Sequence, residues 1–461
     1  MHFVKDKSFY KSLLFVALPI AAQNLITFGI NMMDTIMLGQ FGDEIISAAN
    51  LAGQPFFIFT ILTYGIAGGA SVLASQYWGK RDVAAVRKVI SIALQVTMMF
   101  SVIFALLVLL IPETIMRIYT NDEQIIAYGV EYLRIVGYIY FVFGLSNTFV
   151  TAIRSMEIVM ISVVSNIITF AVNVVFNAIF IFGLLGAPAL GIRGAAIGTV
   201  IARVTEFCIL SLYAFKLDKK LCLRPKDLIR FDTELFKDFI RYSIPVVLNA
   251  LMWSVGTSLQ SVIFGHISKA AVSANTITGV IQQLATITVF GVANAAAVMV
   301  GKSVGANDVK RAKEATFTLS FVSAGIGVLS AAIIFLIRRP VINFYNVSEE
   351  TKRIAYDMMA YMAIIVFFIS LSALFIVGVL RGAGDARFTL MVEVASLWLV
   401  SVPIGALAGL VFKLPVPLVY LFFKLDEPMK VICCLFRFKG GKWIKNVTRD
   451  LGGEISDNIP V

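Results

Sequence analysis

Twelve times the chain runs predominantly apolar for about 20 residues or more, at roughly 11–37, 48–72, 89–111, 127–152, 158–184, 193–215, 237–263, 274–300, 314–336, 353–379, 387–411 and 414–436. A helix rises ~1.5 Å per residue, so each run is long enough to cross ~30 Å of bilayer hydrocarbon. Composition leaves no soluble alternative. Hydrophobic residues make up 59% of the 461 and charged residues only 15%, at a mean hydropathy of +0.88, whereas soluble domains carry about 25% charged residues. The surplus apolar surface must face lipid. The expected fold class is an all-α membrane protein of twelve transmembrane helices.

The same composition excludes several functions. Two histidines and four cysteines (Cys208, Cys222, Cys433, Cys434) without ligand spacing offer no zinc site or disulfide framework. No HExxH, paired catalytic acids or Ser/His/Asp set falls within the spans, so no enzyme, resident metal or cofactor is expected. The net charge of +11 reads as basic loops held on the cytoplasmic side rather than as a nucleic-acid surface. Lys5, Lys7, Lys11, the turns "GKRDVAAVRK" and "GKSVGANDVKRAK", segment 216–241 and the residues Arg437, Lys439, Lys442 and Lys445 all fall on one side. "GQFGDEI" on the other side has no Lys or Arg, and "RRP" at 338–340 is the main exception. Both termini are therefore expected in the cytoplasm of a cell-membrane protein. The N-terminus has no small-residue cleavage site, and the "NVT" at 446–448 lies in the cytoplasmic tail, so neither a cleaved leader nor glycosylation is expected.

The chain also repeats. "YGIAGGASVLASQYWGKRDVAAVRK" (64–88) runs without a gap against "FGVANAAAVMVGKSVGANDVKRAKE" (290–314). Pro19/Pro245, Gly39/Gly265, Gly65/Gly291, Gly79/Gly305 and Asp82/Asp308 share one offset along the chain, and "AIRSM" matches "VLRGA" at an offset greater by one. Six spans per half is an even number, so both halves enter the membrane from the same side. The repeats are expected to be parallel, related by a pseudo-two-fold axis along the membrane normal, with a cleft between them. The reading divides the chain into an N-lobe (1–215), a linker (216–236), a C-lobe (237–436) and a cytoplasmic tail (437–461).

"LPIAAQNL", "MDTIMLGQFG", "GASVLASQYWGKRD", "NVVFNAIFIFG", "LGIRGAAIGTVIAR" and "VLRGAGDARFTL", in this order on twelve spans, resemble the multidrug and toxic compound extrusion (MATE) transporters over nearly the whole length. The resemblance implies a V-shaped pair of six-helix lobes that exports amphipathic cations in exchange for Na+ or H+.

One carboxylate, Asp34, stands inside span 1, and such a group is functional by default because burying its charge costs at least ~2.5–3.5 kcal/mol. Topology brings Asn173 and Asn177, at i,i+4 on span 5, and Thr199 on span 6 to a similar depth. One carboxylate, two amides and a hydroxyl are hard oxygen ligands that suit Na+ or a proton. The plainer alternative for the neutral members is interhelical hydrogen bonding. At the repeat-related position stands Gln260, polar but neutral, which favours a coupling site in the N-lobe alone. Many MATE relatives carry an acid at the position of Asn177, where this chain does not, and some carry acids inside spans 7 and 10, whereas here no Asp or Glu occurs between 239 and 300 or between 358 and 384. Glu206, near Arg203 on span 6, and Glu393 on span 11 are secondary ion or proton candidates. Each has a structural alternative, an ion pair with Arg203 for Glu206 and one with Arg387, or snorkelling, for Glu393.

Met33, Met37, Gln54, Phe56, Met252, Trp253 and Gln260 are candidates for a substrate chamber, since flexible Met and aromatic faces accommodate varied apolar cations. Lipid or core contacts are the competing reading for each. The expected partners are small amphipathic cations and the bilayer, with the protein acting as a monomer. The alternative function is a lipid-linked oligosaccharide flippase of related architecture. Such a carrier needs several basic residues in its cleft, and spans 1, 2, 7 and 8 have nearly none in their interiors.

Overall fold

The computed structural model describes residues 2–38, 40, 43–218, 220–221, 223–229, 232–345 and 347–449; Gly39 and Cys222 lie outside that set. The described residues form helices and connections without a strand. The first half contains α1 (Lys7–Leu38), α2 (Asp43–Ala52), α3 (Gln54–Gly79), α4 (Val83–Leu110), α5 (Pro112–Tyr119), α6 (Glu123–Val136), α7 (Ile139–Ser155), α8 (Met160–Phe182) and α9 (Ile192–Leu212). The second contains α10 (Thr233–Ile267), α11 (Lys269–Gly305), α12 (Val309–Phe344), α13 (Glu349–Ala373), α14 (Ala386–Val394), α15 (Val402–Ala406), α16 (Val416–Phe423) and α17 (Asp426–Lys439). π-helical turns at Leu374–Leu380, Ala395–Ser401 and Leu407–Val411 continue the helices around them.

Ten helical segments among the described residues are long and apolar enough to cross a membrane. An eleventh is the α6–α7 pair, which bends by 54°. The expected straight span at 127–152 is thus broken, and the cause is local: Gly137 caps α6, and a side chain there would run into Leu109 of α4. The expected span at 414–436 is likewise interrupted, at Lys424–Leu425. Its second half opens with Asp426 and Glu427 in the first helical turn, where the helix dipole favours acids.

The repeat is visible in the turns. Asp82 caps α4 by accepting the Ala85 N–H at 2.9 Å, and Asp308 caps α12 by accepting the Arg311 N–H at 2.9 Å. The residue preceding each aspartate is left-handed, Arg81 at φ 64° and Asn307 at φ 59°. A Cβ on Gly79 would overlap the Lys302 carbonyl oxygen, and one on Gly305 the Gln76 carbonyl oxygen. The ends of α3 and α11 therefore cross backbone to backbone at these two glycines, which places both turns at the same end of their helices.

Two compact units share the chain. Among the described residues, one falls within 22–74 and 82–243 and the other within 1–21, 75–81 and 244–450. The first is built on an aromatic core in which Phe56, Phe59, Phe104, Tyr140 and Phe143 pack ring against ring. Within it, α8 and α9 approach closely because Gly194 and Gly198 leave no side chain between them and Phe180 and Asn177. The second is built around Phe264, Met358, Met359, Met362 and Phe423. Its last strap, residues 443–449, folds back: the Val447 N–H donates to Gln76 Oε1 at 2.8 Å, and Lys445 and Arg437 both pair with the buried Asp385.

Candidate ion-coupling site

Asp34 lies in the last two turns of α1, facing α8. Asn177 Nδ2 donates to Asp34 Oδ1 at 2.6 Å and to Asn173 Oδ1 at 3.3 Å. Both asparagines are buried, and their i,i+4 spacing presents them on one face of α8. Gly198 of α9 is the floor under Asn177, since any Cβ there would overlap Asn177 Oδ1. That oxygen is buried and has no hydrogen-bond partner. The site thus holds a carboxylate and an unsatisfied amide carbonyl side by side. The amide turns its N–H to the carboxylate and its unmet carbonyl oxygen to Gly198, and both oxygens are of the hard type that a small cation takes as ligands.

Thr199 sits next to Gly198, but its hydroxyl donates to the Ala195 carbonyl at 2.9 Å, one turn back on its own helix. Glu206 accepts a hydrogen bond from Arg203 at 2.8 Å, and the pair is largely buried, with side chains 17% and 9% exposed for Arg203 and Glu206. The Arg203 guanidinium also stacks 5.1 Å from the Phe143 ring centre and acts electrostatically on Asp34. Asp34 is therefore not answered by neutral groups alone, as the sequence led us to expect.

Glu393 does not pair with Arg387 and does not snorkel. It is buried and meets Lys430 Nζ at 2.8 Å, and the same ammonium meets Asp426 at 2.6 Å and Glu427 at 3.1 Å. Ser372 donates to the far oxygen of Glu427. Sequence reasoning missed this cluster, although "KLDEPMK" at 424–430 puts four charges inside a run that was read as apolar throughout.

The chamber candidates scatter. Trp253 is exposed, Gln54 is exposed and donates to the Asn50 carbonyl of α2 at 3.4 Å, and Met33 and Met252 are half-buried. Met37 packs on Leu38 and Ile181. Phe56 belongs to the aromatic core, and Gln260 is buried in its own unit, where it donates to Ser401 Oγ at 3.2 Å; neither is presented on an open face. Among the described residues no group of three or more His, Cys, Asp or Glu is placed to hold a metal ion.

Apolar helices in this number, repeated turns and a polar site buried within one unit define a multi-pass membrane transporter. The chain belongs to the MatE family: the family's model matches twice, over residues 19–179 and 245–407, and the two matches begin at the repeat-related prolines Pro19 and Pro245. Over 436 residues it is 23% identical to a probable multidrug resistance protein NorM of Thermotoga maritima, covering 94% of this chain and 93% of the relative. It is 22% identical over 445 residues to an uncharacterized transporter, YisQ, of Bacillus subtilis, covering 95% and 96%. Among solved structures, a MOP-superfamily transporter from Pyrococcus furiosus superimposes with a TM-score of 0.86 at 18% identity, covering 96% of this chain and 100% of that one. The eukaryotic MATE transporter AtDTX14 gives 0.84 at 18% identity, with 95% and 97% covered. These likenesses agree with the two-lobe, twelve-helix fold expected from the sequence.

Proposed function

We propose that this protein is a secondary active multidrug efflux antiporter that exports amphipathic, often cationic, small molecules in exchange for Na+ or H+ by alternating access. The observation that carries the reading is the Asp34–Asn177 contact with its unsatisfied Asn177 oxygen. Asp34, Asn173 and Asn177 form the coupling site, and Thr199 joins them when its hydroxyl turns away from Ala195. Family membership and the NorM relative support multidrug export. Met33, Met37, Gln54, Met252 and Trp253 serve the drug path where they are exposed. The lobes divide at 1–215 and 237–436, the protein acts as a monomer in the cytoplasmic membrane, and both termini face the cytoplasm.

A single carboxylate here accepts either one Na+ or one proton, so the two ions compete, and lowering the pH weakens Na+ binding by mass action. The test is efflux from proteoliposomes with Na+ and pH gradients imposed separately. Wild type should respond to at least one gradient, and Asp34→Asn, folded and still binding drug, to neither. Asn177→Asp places a second titrating group beside the first and should change the ion dependence of substrate release. If wild-type release ignores both ions, or Asn177→Asp leaves the titration unchanged, the coupling site lies elsewhere, with Glu206 or Glu393 as the next residues to examine.

A further inference from the structure

The unit that holds Asp34 contains a second incomplete polar group. Arg154, in the last turn of α7, directs Nη2 to Gln23 Oε1 of α1 at 2.7 Å. Among the described residues no carboxylate forms an ion pair with this guanidinium. Glu206 is already paired with Arg203. Two donors at the contact, Arg154 Nε and Gln23 Nε2, are buried with no hydrogen-bond partner, and Gln23 is only 3% exposed. Burying an arginine against a neutral amide and leaving two donors unmet is costly inside a membrane protein. A positive charge with adjacent free N–H groups is the complement of an anionic oxygen.

Unmet donors recur at the repeat-related positions. Asn249, which the offset of Pro19 and Pro245 pairs with Gln23, is 7% exposed and its Nδ2 has no partner. Arg381, the mate of Arg154 in the match of "VLRGA" to "AIRSM", likewise has a buried Nε without one. Four unmet donors at two pairs of repeat-related positions are not packing accidents scattered over the chain. The C-terminal copy differs: among the described residues no hydrogen bond joins Arg381 to Asn249, and Glu393 acts electrostatically on Arg381. The N-terminal copy has no such acid and is the one open to a ligand's charge.

We propose that Arg154 and Gln23 bind an anionic oxygen group, a carboxylate or phosphate, at a site distinct from the Asp34 cluster. The group belongs either to the transported molecule or to a lipid headgroup. In the first case, which rests on the reading of the chain as an exporter, the substrates include zwitterions that present an acid as well as an amine.

The experiment uses the full-length protein in detergent and two dyes, rhodamine B, a zwitterion with a free carboxylate, and its ethyl ester, which is only cationic. Fluorescence polarisation without any gradient reads binding alone, so the result is independent of whether Asp34 couples transport. Wild type should bind rhodamine B at least about tenfold tighter than the ester, as a charge-assisted contact warrants. Arg154→Met should erase the preference while the ester's affinity stays unchanged, and Arg154→Lys should keep part of it. Gln23→Leu, which leaves the charge in place, should reduce the preference and serves if Arg154→Met does not fold. Native mass spectrometry with added phosphatidylglycerol distinguishes the lipid source: a lipid occupant is retained by wild type and lost in Arg154→Met. Equal binding of the two dyes by wild type, together with unchanged lipid retention in the folded variants, would overturn the proposal.

Discussion

Asp34 and Gln260 occupy the same position of the repeat, and the two units use that position differently. Gln260 is buried and satisfied locally: its amide donates to Ser401 Oγ, and Ser401 in turn donates to the Phe423 carbonyl at 2.5 Å. The side chain ties α10 to the π-turn at Ala395–Ser401 and to the end of α16. Asp34 is held by Asn177, which also bonds to Asn173, yet a neighbouring oxygen stays unmet. The buried charges follow the same division. Around Lys430, three carboxylates and an ammonium close on one another, whereas Arg154 in the other unit meets only an amide. A duplicated scaffold can thus keep a polar position in both copies while one copy becomes a fastener and the other stays open to a ligand.

The largest effect that bears on this contrast is functional. Asp34→Asn should abolish gradient-driven efflux. Gln260→Met should keep it within about threefold of wild type, since an interhelical hydrogen bond in a membrane averages about 0.6 kcal/mol. Equal losses in both variants, measured in proteoliposomes, would show that the two positions do the same job.

Next is the Lys430 cluster. Lys430→Met strands three buried carboxylates and should cost about 3–5 kcal/mol of stability, whereas Glu393→Gln, which leaves the ammonium paired with Asp426 and Glu427, should cost much less. Thermal unfolding followed by thiol-reactive fluorescence reads both, and a stable Lys430→Met protein would mean that the cluster is not a fastener.

A smaller change tests the open site from its floor. Gly198→Ala pushes against Asn177 and should weaken its bond to Asp34. Loss of a hydrogen bond to a charged group, about 1.5–3 kcal/mol, corresponds to roughly tenfold or more in apparent ion affinity. The ion dependence of drug release is the measurement, and an unshifted titration would separate Asn177 from coupling.

The smallest effect is at Asp232, the residue preceding α10. Burial pushes its carboxyl up, but the Leu235 and Glu234 N–H groups and Lys88 outweigh that and hold it below the usual carboxylate range. Its contribution is therefore present above the unfolded-state value near ~3.9 and is lost as pH falls through the lower folded-state value. Asp232→Ala should cost about 1 kcal/mol at neutral pH and nothing once the pH lies below both values. A pH-independent difference in melting temperature would rule out the cap.

Much of this was legible in the residues. Run length located the helices, and Gly79, Asp82, Gly305 and Asp308 announced the repeated turns because only short or cap-forming side chains fit there. A lone acid on one helix and Asn173/Asn177 at helical spacing on another pointed to the contact that Asp34 makes. Averaging over a long apolar run, however, concealed Asp426, Glu427 and Lys430, and with them the partner of Glu393. Phe56 looked like a lipid- or drug-facing aromatic because apolarity is the same on every side of a membrane helix; only packing against Tyr140 and Phe143 distinguishes it. Arg154 and Arg381 were visible as marks of the repeat, but their unmet donors depend on side-chain placement and leave no trace in sequence.

The crossing of α3 and α11 at Gly79 and Gly305 has a consequence for biosynthesis. Gly79 leaves the ribosome nearly half a chain ahead of Gly305, a delay of roughly 10–45 s at about 5–20 residues per second. Throughout that interval the glycine face of α3 and the Gln76 side chain are in the bilayer without their eventual neighbours. Gln76 waits longer still, because its amide accepts from Val447 and donates to Gly382, both made after Gly305. A nascent chain that stops before residue 443 would hold a nearly complete set of spans and still lack the strap that seals this crossing, leaving an exposed small-residue face and a bare polar group for membrane quality control to recognise.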